Sequence, residues 1–261
     1  GEPVELLGEL SSEGEHVYFN NDSNHFRQGM ERRARRKFEG FDNSAVDTSG
    51  RDRSSWSDDA LKWFEDERLN APESLDSNEI ESRTTINHIR RKYEVEPDKK
   101  NFGKGGTREA RRRLEEFLEQ IDDYSGCISS PSKAEASTSH LSPYIRYGCI
   151  SPREVYQRAS NARNDVQNIQ SAEMFMDRIF WHQHFNQKIE DNPDLFREAV
   201  NPVYRDLNTD NRDQEKIEAW KRGVTGFPLV DASMRALVKT GWLNFRMRAM
   251  CASFFSYILK Q

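Results

Sequence analysis

Residues 225–255 read TGFPLVDASMRALVKTGWLNFRMRAMCASFF, and this stretch decides the fold. Pro228 is suited to the first turn of a helix, where its missing N–H costs nothing. Val230, Met234, Leu237 and Val238 then recur at helical spacing, and Gly241 is a stop. A second helix is expected from near Leu243 to the chain end. Three arginines, Arg235, Arg246 and Arg248, interrupt this apolar run. An unpartnered buried guanidinium costs several kcal/mol. Either the three face water or they face something anionic that the protein is built to hold. Their spacing lets Asp231 and Arg235 pair along one helix. Arg246 and Arg248 diverge, so at least one should point away from solvent if the helix packs on both sides.

Upstream of this stretch, the same periodicity continues. Ser151, Pro152 and Glu154 form a capping-box start. A helix is expected over about 172–190, with Phe175, Ile179, Phe185 and Ile189 on its apolar side. Thr107 is the expected cap of a helix carrying Leu114, Phe117, Leu118 and Ile121. Before residue 107 the pattern weakens. HVYF at 16–19 reads as a short strand, and Phe26, Met30 and Ala34 as one amphipathic helix. Residues 40–60 read as a loop, with a helix beginning near Ser57 and another at 86–93. No internal repeat is visible, and no period-2 strand follows residue 20. The second half is therefore an all-α assembly.

The chain has 261 residues, a net charge of −5, 35% apolar residues and 11% aromatic residues. That aromatic content excludes wholesale disorder. The 39 Lys and Arg cluster at 32–37, 108–113 and 246–248. A local basic face is compatible with nucleic acid despite the negative total. The plainer reading of the first two clusters is a solvated helix face. Cys127, Cys149 and Cys251 lack metal-ligand spacing and read as reduced thiols of a cytoplasmic protein. No stretch is long and apolar enough to span a membrane.

Two segments carry candidate chemistry. In STSHLSPYIRYGC, 137–149, Thr138, Ser139 and Ser142 crowd hydroxyls and backbone N–H groups onto one loop before a helix opened by Pro143. That arrangement suits phosphate, and it also suits ordinary capping. In FMDRIFWHQHFNQKIED, 175–191, His182 and His184 diverge by about 200° on a helix. They cannot share a metal, so one serves a ligand and the other packing.

These residues also carry a resemblance. TSHLSPYIRYGCISPREVY resembles the flavin-binding loop and following helix of the DNA photolyase and cryptochrome family. W-x-x-G-x-T-G-F-P-x-V-D-A-x-M-R-x-L-x-x-x-G-W, from Trp220 to Trp242, resembles that family's most specific segment. LNFRMRAM and RIFWHQHFNQKIED are similar to a microbial photolyase-like branch. The strong resemblance covers 107–261, and a weaker one extends back through RDRSSW and HVYFNNDSNHFRQ.

The resemblance implies a mainly α fold, a truncated helical-bundle FAD-binding domain. Residues 1–55 would be the C-terminal remnant of an α/β antenna domain, 56–106 a linker, and 107–261 the N-terminal part of the FAD-binding domain. Tyr124, Thr138, Ser139, Leu141, Ser142, Phe175, His182 and Arg248 would bind FAD, in a site incomplete in this chain. An antenna chromophore would belong to the full-length protein. Trp181 and Trp242 would be catalytic, and Arg153, Arg178 and Arg246 would contact UV-damaged DNA. No metal is implied. The reaction implied is that of a deoxyribodipyrimidine photo-lyase, a carbon–carbon lyase: under blue light, reduced flavin passes an electron that splits pyrimidine dimers. The protein would be a cytoplasmic monomer. His140 stands where many members have arginine, Arg178 where repair enzymes commonly have glutamate, and Phe245 where many have asparagine. Two alternatives therefore stay open. One is a cryptochrome-like photoreceptor that binds FAD without repair. The other is a non-catalytic helical remnant binding nucleic acid through Arg111–Arg113 and Arg153.

Overall fold

The structure, a computed structural model, describes residues 18–20, 38–41, 45–46, 55–70, 73–74, 85–94, 104–205 and 212–261. It is mainly α-helical. Two three-residue strands, β1 (Tyr18–Asn20) and β2 (Glu39–Phe41), pair in parallel. The helix expected around Phe26–Ala34 lies outside the described residues. The rest divides into two compact units.

The first unit is built from residues up to 66, 105–128 and 136–210. Its helices are α1 (Trp56–Glu65), α3 (Thr107–Leu118), α4 (Tyr124–Cys127), α5 (Ser142–Arg146), α6 (Pro152–Ala162) and α7 (Ile169–Asp191). Apolar side chains at i, i+4 and i+7 or i+8 converge on one core: Trp56, Ala60 and Phe64 from α1, and Ala110, Leu114 and Phe117 from α3. Val155 and Ala159 of α6 meet Ala172, Phe175 and Ile179 of α7. The small residues let those two helices approach closely. Helix α1 falls in the stretch expected to be a linker, yet its Phe64 is fully buried and stacks on Tyr156 at 4.7 Å. Trp56 Nε1 donates to the Ala45 carbonyl at 3.1 Å.

The helix starts follow their capping chemistry, with one correction. Ser151 Oγ accepts from the Glu154 N–H at 3.0 Å, as its sequence position predicts. The Glu154 carboxylate holds Arg111 in a two-pronged pair, at 2.7 and 3.0 Å. Thr107, the expected cap of α3, is instead its first helical residue. Gly106 takes the cap at φ 99°, a backbone setting that disfavours threonine. Phe185, expected on the apolar side of α7, is 49% exposed, because the buried stripe runs through Ser171, Phe175, Ile179, Gln183 and Gln187.

The second unit comprises residues 67–104, 129–135 and 211–261. It holds α2 (Ile86–Lys92), α8 (Gln214–Arg222), α9 (Pro228–Thr240) and α10 (Phe245–Ser253), which runs into a π turn, Phe254–Ile258. Val230, Met234, Leu243, Cys251 and Phe254 form its core. Val238, expected inward on α9, is 58% exposed. Asp213 caps α8 through N–H groups of Glu215 and Lys216, and Asn244 caps α10 through that of Met247. Gly223 ends α8 in the left-handed region at φ 66°; a Cβ there would lie 2.5 Å from the Asp231 carbonyl oxygen. Only glycine fits both conditions.

Candidate functional site

The 225–255 arginines find partners that differ from those expected. Asp231 and Arg235 do not pair with each other. Asp231 folds back on the preceding turn, accepting from Thr225 N–H at 2.8 Å, Thr225 Oγ1 at 2.6 Å and Gly226 N–H at 3.0 Å. Burial works to raise its pKa, but these hydrogen bonds and nearby Arg235 outweigh it and hold the carboxyl below its usual value. Arg235 Nη1 donates to the Gly223 carbonyl at 2.7 Å, closing the end of α8. Arg248 Nε donates to the Leu243 carbonyl at 2.8 Å, and Arg246 Nε lies 3.4 Å from Ser129 Oγ. All three are more than a third exposed, which agrees with the first of the two readings, that they face water. Trp220 Nε1 donates to the Cys251 carbonyl at 3.1 Å, tying α8 to α10. The Trp220–Trp242 segment thus works as a clasp for its own unit. Trp242 is half-buried beside Thr240 Oγ1.

The loop at 137–142 in the first unit is different. Its residues 137–140 line a cavity of about 130 Å³ with Arg113, Glu116, Phe117, Gln120 and Asp123. Helix α5 begins at Ser142 with Leu141 as its cap residue and no side-chain capping bond. Ordinary capping therefore does not explain the hydroxyls here. Thr138 Oγ1 is buried with no hydrogen-bond partner. His140 sits at φ 52°, a strained setting for a residue with a side chain. Leu141 is buried beneath the loop, Ser139 is half-buried, and Ser142 is exposed.

Behind the loop lies an aromatic cluster. Phe117 meets Phe175 at 4.6 Å and Tyr124 at 5.5 Å, and Tyr124 meets Phe175 edge-on at 5.6 Å. A polar staple holds Tyr124 there. Ser171 Oγ donates to the Asp122 carbonyl at 2.8 Å and accepts from the Ser125 N–H at 3.0 Å. The Asn168 N–H donates to Asp122 Oδ1 at 2.8 Å. Burial pushes the Tyr124 hydroxyl well above its usual pKa, opposed by Arg178. Neither Asp122 nor Ser171 was singled out from the sequence; their bonds depend on α4 meeting the start of α7, a contact 46 residues apart.

Further along α7, Trp181 is 48% exposed and packs edge-on against His184 at 5.1 Å, while His184 meets Trp56 at 5.5 Å. The two histidines divide as their spacing predicts, with His184 in packing. His182 keeps one edge exposed, and its Nδ1 lies 3.1 Å from Nε2 of fully buried Gln183. Burial by surrounding protein, and then the Arg146 charge, hold His182 below the ordinary histidine pKa. Arg178 is exposed. The Arg153 guanidinium stacks over Trp63 at 4.2 Å, with Nε buried and unpartnered. The basic run at 108–113 is largely internally paired: Arg112 binds Glu109 and Glu116, and Arg113 binds Glu109 and covers the Tyr144 ring. Among the described residues, no helix is long and apolar enough to cross a membrane.

Residues 175–261 match the FAD binding domain of DNA photolyase. The chain is 37% identical over 150 residues to a deoxyribodipyrimidine photo-lyase of Alkalihalophilus pseudofirmus, covering 57% of this chain and 30% of that protein. It is 30% identical over 154 residues to Cryptochrome-2 of Gallus gallus, covering 58% of this chain and 26% of the relative. The chain therefore spans about a third or less of the length of these curated relatives. Among solved structures it resembles a class III photolyase of Agrobacterium tumefaciens, with TM-score 0.79 and 22% identity over 98% of this chain and 57% of that one. A Synechocystis cryptochrome gives TM-score 0.72 at 20% identity over 99% and 59%. The fold is thus of photolyase and cryptochrome type.

Proposed function

We propose that this chain belongs to the DNA photolyase and cryptochrome family and is a portion of an FAD-dependent, blue-light-driven, photolyase-like protein acting on UV-damaged DNA. The observation that carries this reading is the loop at 137–142. Its hydroxyls are not used in capping, and Thr138 Oγ1 is buried without a partner beside the cavity. A buried hydroxyl left unpaired costs about 1–3 kcal/mol, which a phosphate oxygen would relieve. The donor set fits the phosphates of FAD.

In this reading Thr138, Ser139 and Ser142 bind the phosphate-bearing part of FAD, over a floor made by Leu141. Tyr124 and Phe175 give the site a rigid aromatic wall, stapled by Ser171. His182 is a further cofactor contact in this unit; Arg248 belongs to the second unit, and its role as a cofactor contact rests on the resemblance alone. When bound, FAD supplies blue-light absorption and one-electron chemistry. Trp181, exposed and amphipathic, offers a stacking surface to a base extruded from the duplex, with Trp242 as the second catalytic candidate. Arg153, Arg178 and Arg246 are candidate DNA contacts; each phosphate they neutralise would steepen the salt dependence of binding by about 0.9 in log–log slope. We propose a cytoplasmic monomer.

One observation favours the cryptochrome-like alternative. Arg178, where repair enzymes commonly have glutamate, places an exposed cation near Tyr124. The test is titration with FAD followed by flavin fluorescence, then illumination with a dimer-containing oligonucleotide. Saturable FAD binding with light-dependent dimer loss supports the proposal. Binding without dimer loss favours the photoreceptor, and no binding refutes the cofactor assignment.

A further inference from the structure

Helix α7 places a buried glutamine against a histidine that borders solvent. Gln183 is fully buried, and its Nε2 lies 3.1 Å from His182 Nδ1. Its Oε1 is also buried and has no partner. We propose that Gln183 is a positioning residue that locks His182 as a neutral imidazole with its proton on Nε2, making His182 a hydrogen-bond donor to an uncharged acceptor, such as a ring carbonyl oxygen, and not a cation for phosphate.

The argument begins with what each atom can do. An amide nitrogen carries only donors, so a ring nitrogen facing it must accept. Nδ1 is then unprotonated, and the proton of the neutral ring lies on Nε2. In this amide orientation an imidazolium would set its own Nδ1–H against the amide N–H, which disfavours the cation as well as the other tautomer. The reverse amide orientation would aim Oε1 at an Nδ1–H and leave a buried NH₂ where Oε1 now lies. Orphaned N–H groups are rarer in folded proteins than under-satisfied carbonyl oxygens, so the orientation found is the better one. Arg146 on α5 adds a second charge that opposes protonation, and Arg178 lies one helical turn earlier on α7 itself. His182 Nε2 makes no hydrogen bond among the described residues, and the residue is more than a third exposed. The donor is therefore available to a ligand.

The acceptor we infer deepens the cofactor reading of α7 and rests on it, since flavin and pyrimidine rings both carry carbonyl oxygens. The experiment separates the two claims. The whole chain is labelled with 15N-histidine, and long-range 1H–15N correlations are recorded, with His182→Gln identifying the His182 signals. The expected spectrum has Nδ1 unprotonated, Nε2 protonated, and the ring still neutral at about pH 6.5, where an unperturbed histidine is half charged. Gln183→Met should return the two nitrogens to a mixture of tautomers while the other histidine signals stay in place. A proton on Nδ1, or a cationic ring at that pH, overturns the proposal from the wild-type spectrum alone, whether or not the methionine variant folds. Added FAD should then shift the Nε2 resonance. The expected tautomer with no response to FAD leaves the role of Gln183 standing and refutes His182 as a cofactor contact; the opposite tautomer with a response does the reverse.

Discussion

The clasp at 220–244 and the loop at 137–142 use polar residues in opposite ways. In the clasp, Asp231 takes three donors from its own turn, Arg235 closes α8, and Trp220 reaches α10. Its polar groups hold helices together. In the loop, Thr138 Oγ1 has no partner, and the helix that follows has no side-chain cap. The segment most specific in sequence is thus the more self-contained, while the plainer loop keeps donors available for a ligand. The clasp residues are used up in holding their own unit together, and the proposed reading gives the unpaired Thr138 hydroxyl to a ligand.

Substitutions should break this comparison in graded fashion. The largest effect is expected in the core of the first unit. Phe64→Ala should lower the unfolding free energy by about 3–5 kcal/mol, read as a fall in the urea midpoint at unchanged slope. In the clasp, Gly223→Ala forces a Cβ against the Asp231 carbonyl in a left-handed backbone. It should cost about 2–4 kcal/mol and is read by the same melt. Ser171→Ala removes the centre of the staple and leaves the Asp122 carbonyl and the Ser125 N–H short of a partner. A loss of about 1–3 kcal/mol is expected. A smaller effect follows from His182. Its folded-state pKa lies below the unfolded value, so between the two the unfolded chain binds more protons. Stability should rise with pH through that window and fall as pH drops below about 6.5. Urea midpoints measured across pH 5–8 should show this slope, and His182→Gln should flatten it.

Much of this fold is legible in local pattern. The Ser151 cap, the Gly241 stop and the inward Val230 and Met234 of α9 depend on neighbours within a few residues, and helical periodicity reports them directly. Three readings went differently because the deciding partner lies elsewhere. Asp231 is matched by spacing to Arg235, yet the Thr225–Gly226 turn offers three donors at shorter range. Phe185 looks apolar and inward, yet the buried stripe of α7 follows Ile179 to Gln183 and Gln187. Val238 looks inward on α9, yet Val238 at 58% and Phe245 at 62% exposure show that this unit leaves apolar side chains uncovered. Composition along a helix reports its mean environment and not the face each residue occupies. The loop was recognisable as a possible phosphate site, but only the structure shows that its hydroxyls are not used in capping.

The most direct measurement is a paired one on Thr138→Ala/Ser142→Ala: unfolding free energy by urea melt and FAD affinity by fluorescence titration. Stability should not fall: loss of the buried, unpaired Thr138 hydroxyl should leave it unchanged or raise it, by up to about 1–3 kcal/mol. FAD affinity should fall about tenfold or more for each hydroxyl that meets a phosphate oxygen, since a charge-assisted hydrogen bond is worth about 1.5–3 kcal/mol. A large loss of stability with unchanged FAD affinity would contradict the account, because the loop would then be a structural cap and the ligand site would lie elsewhere.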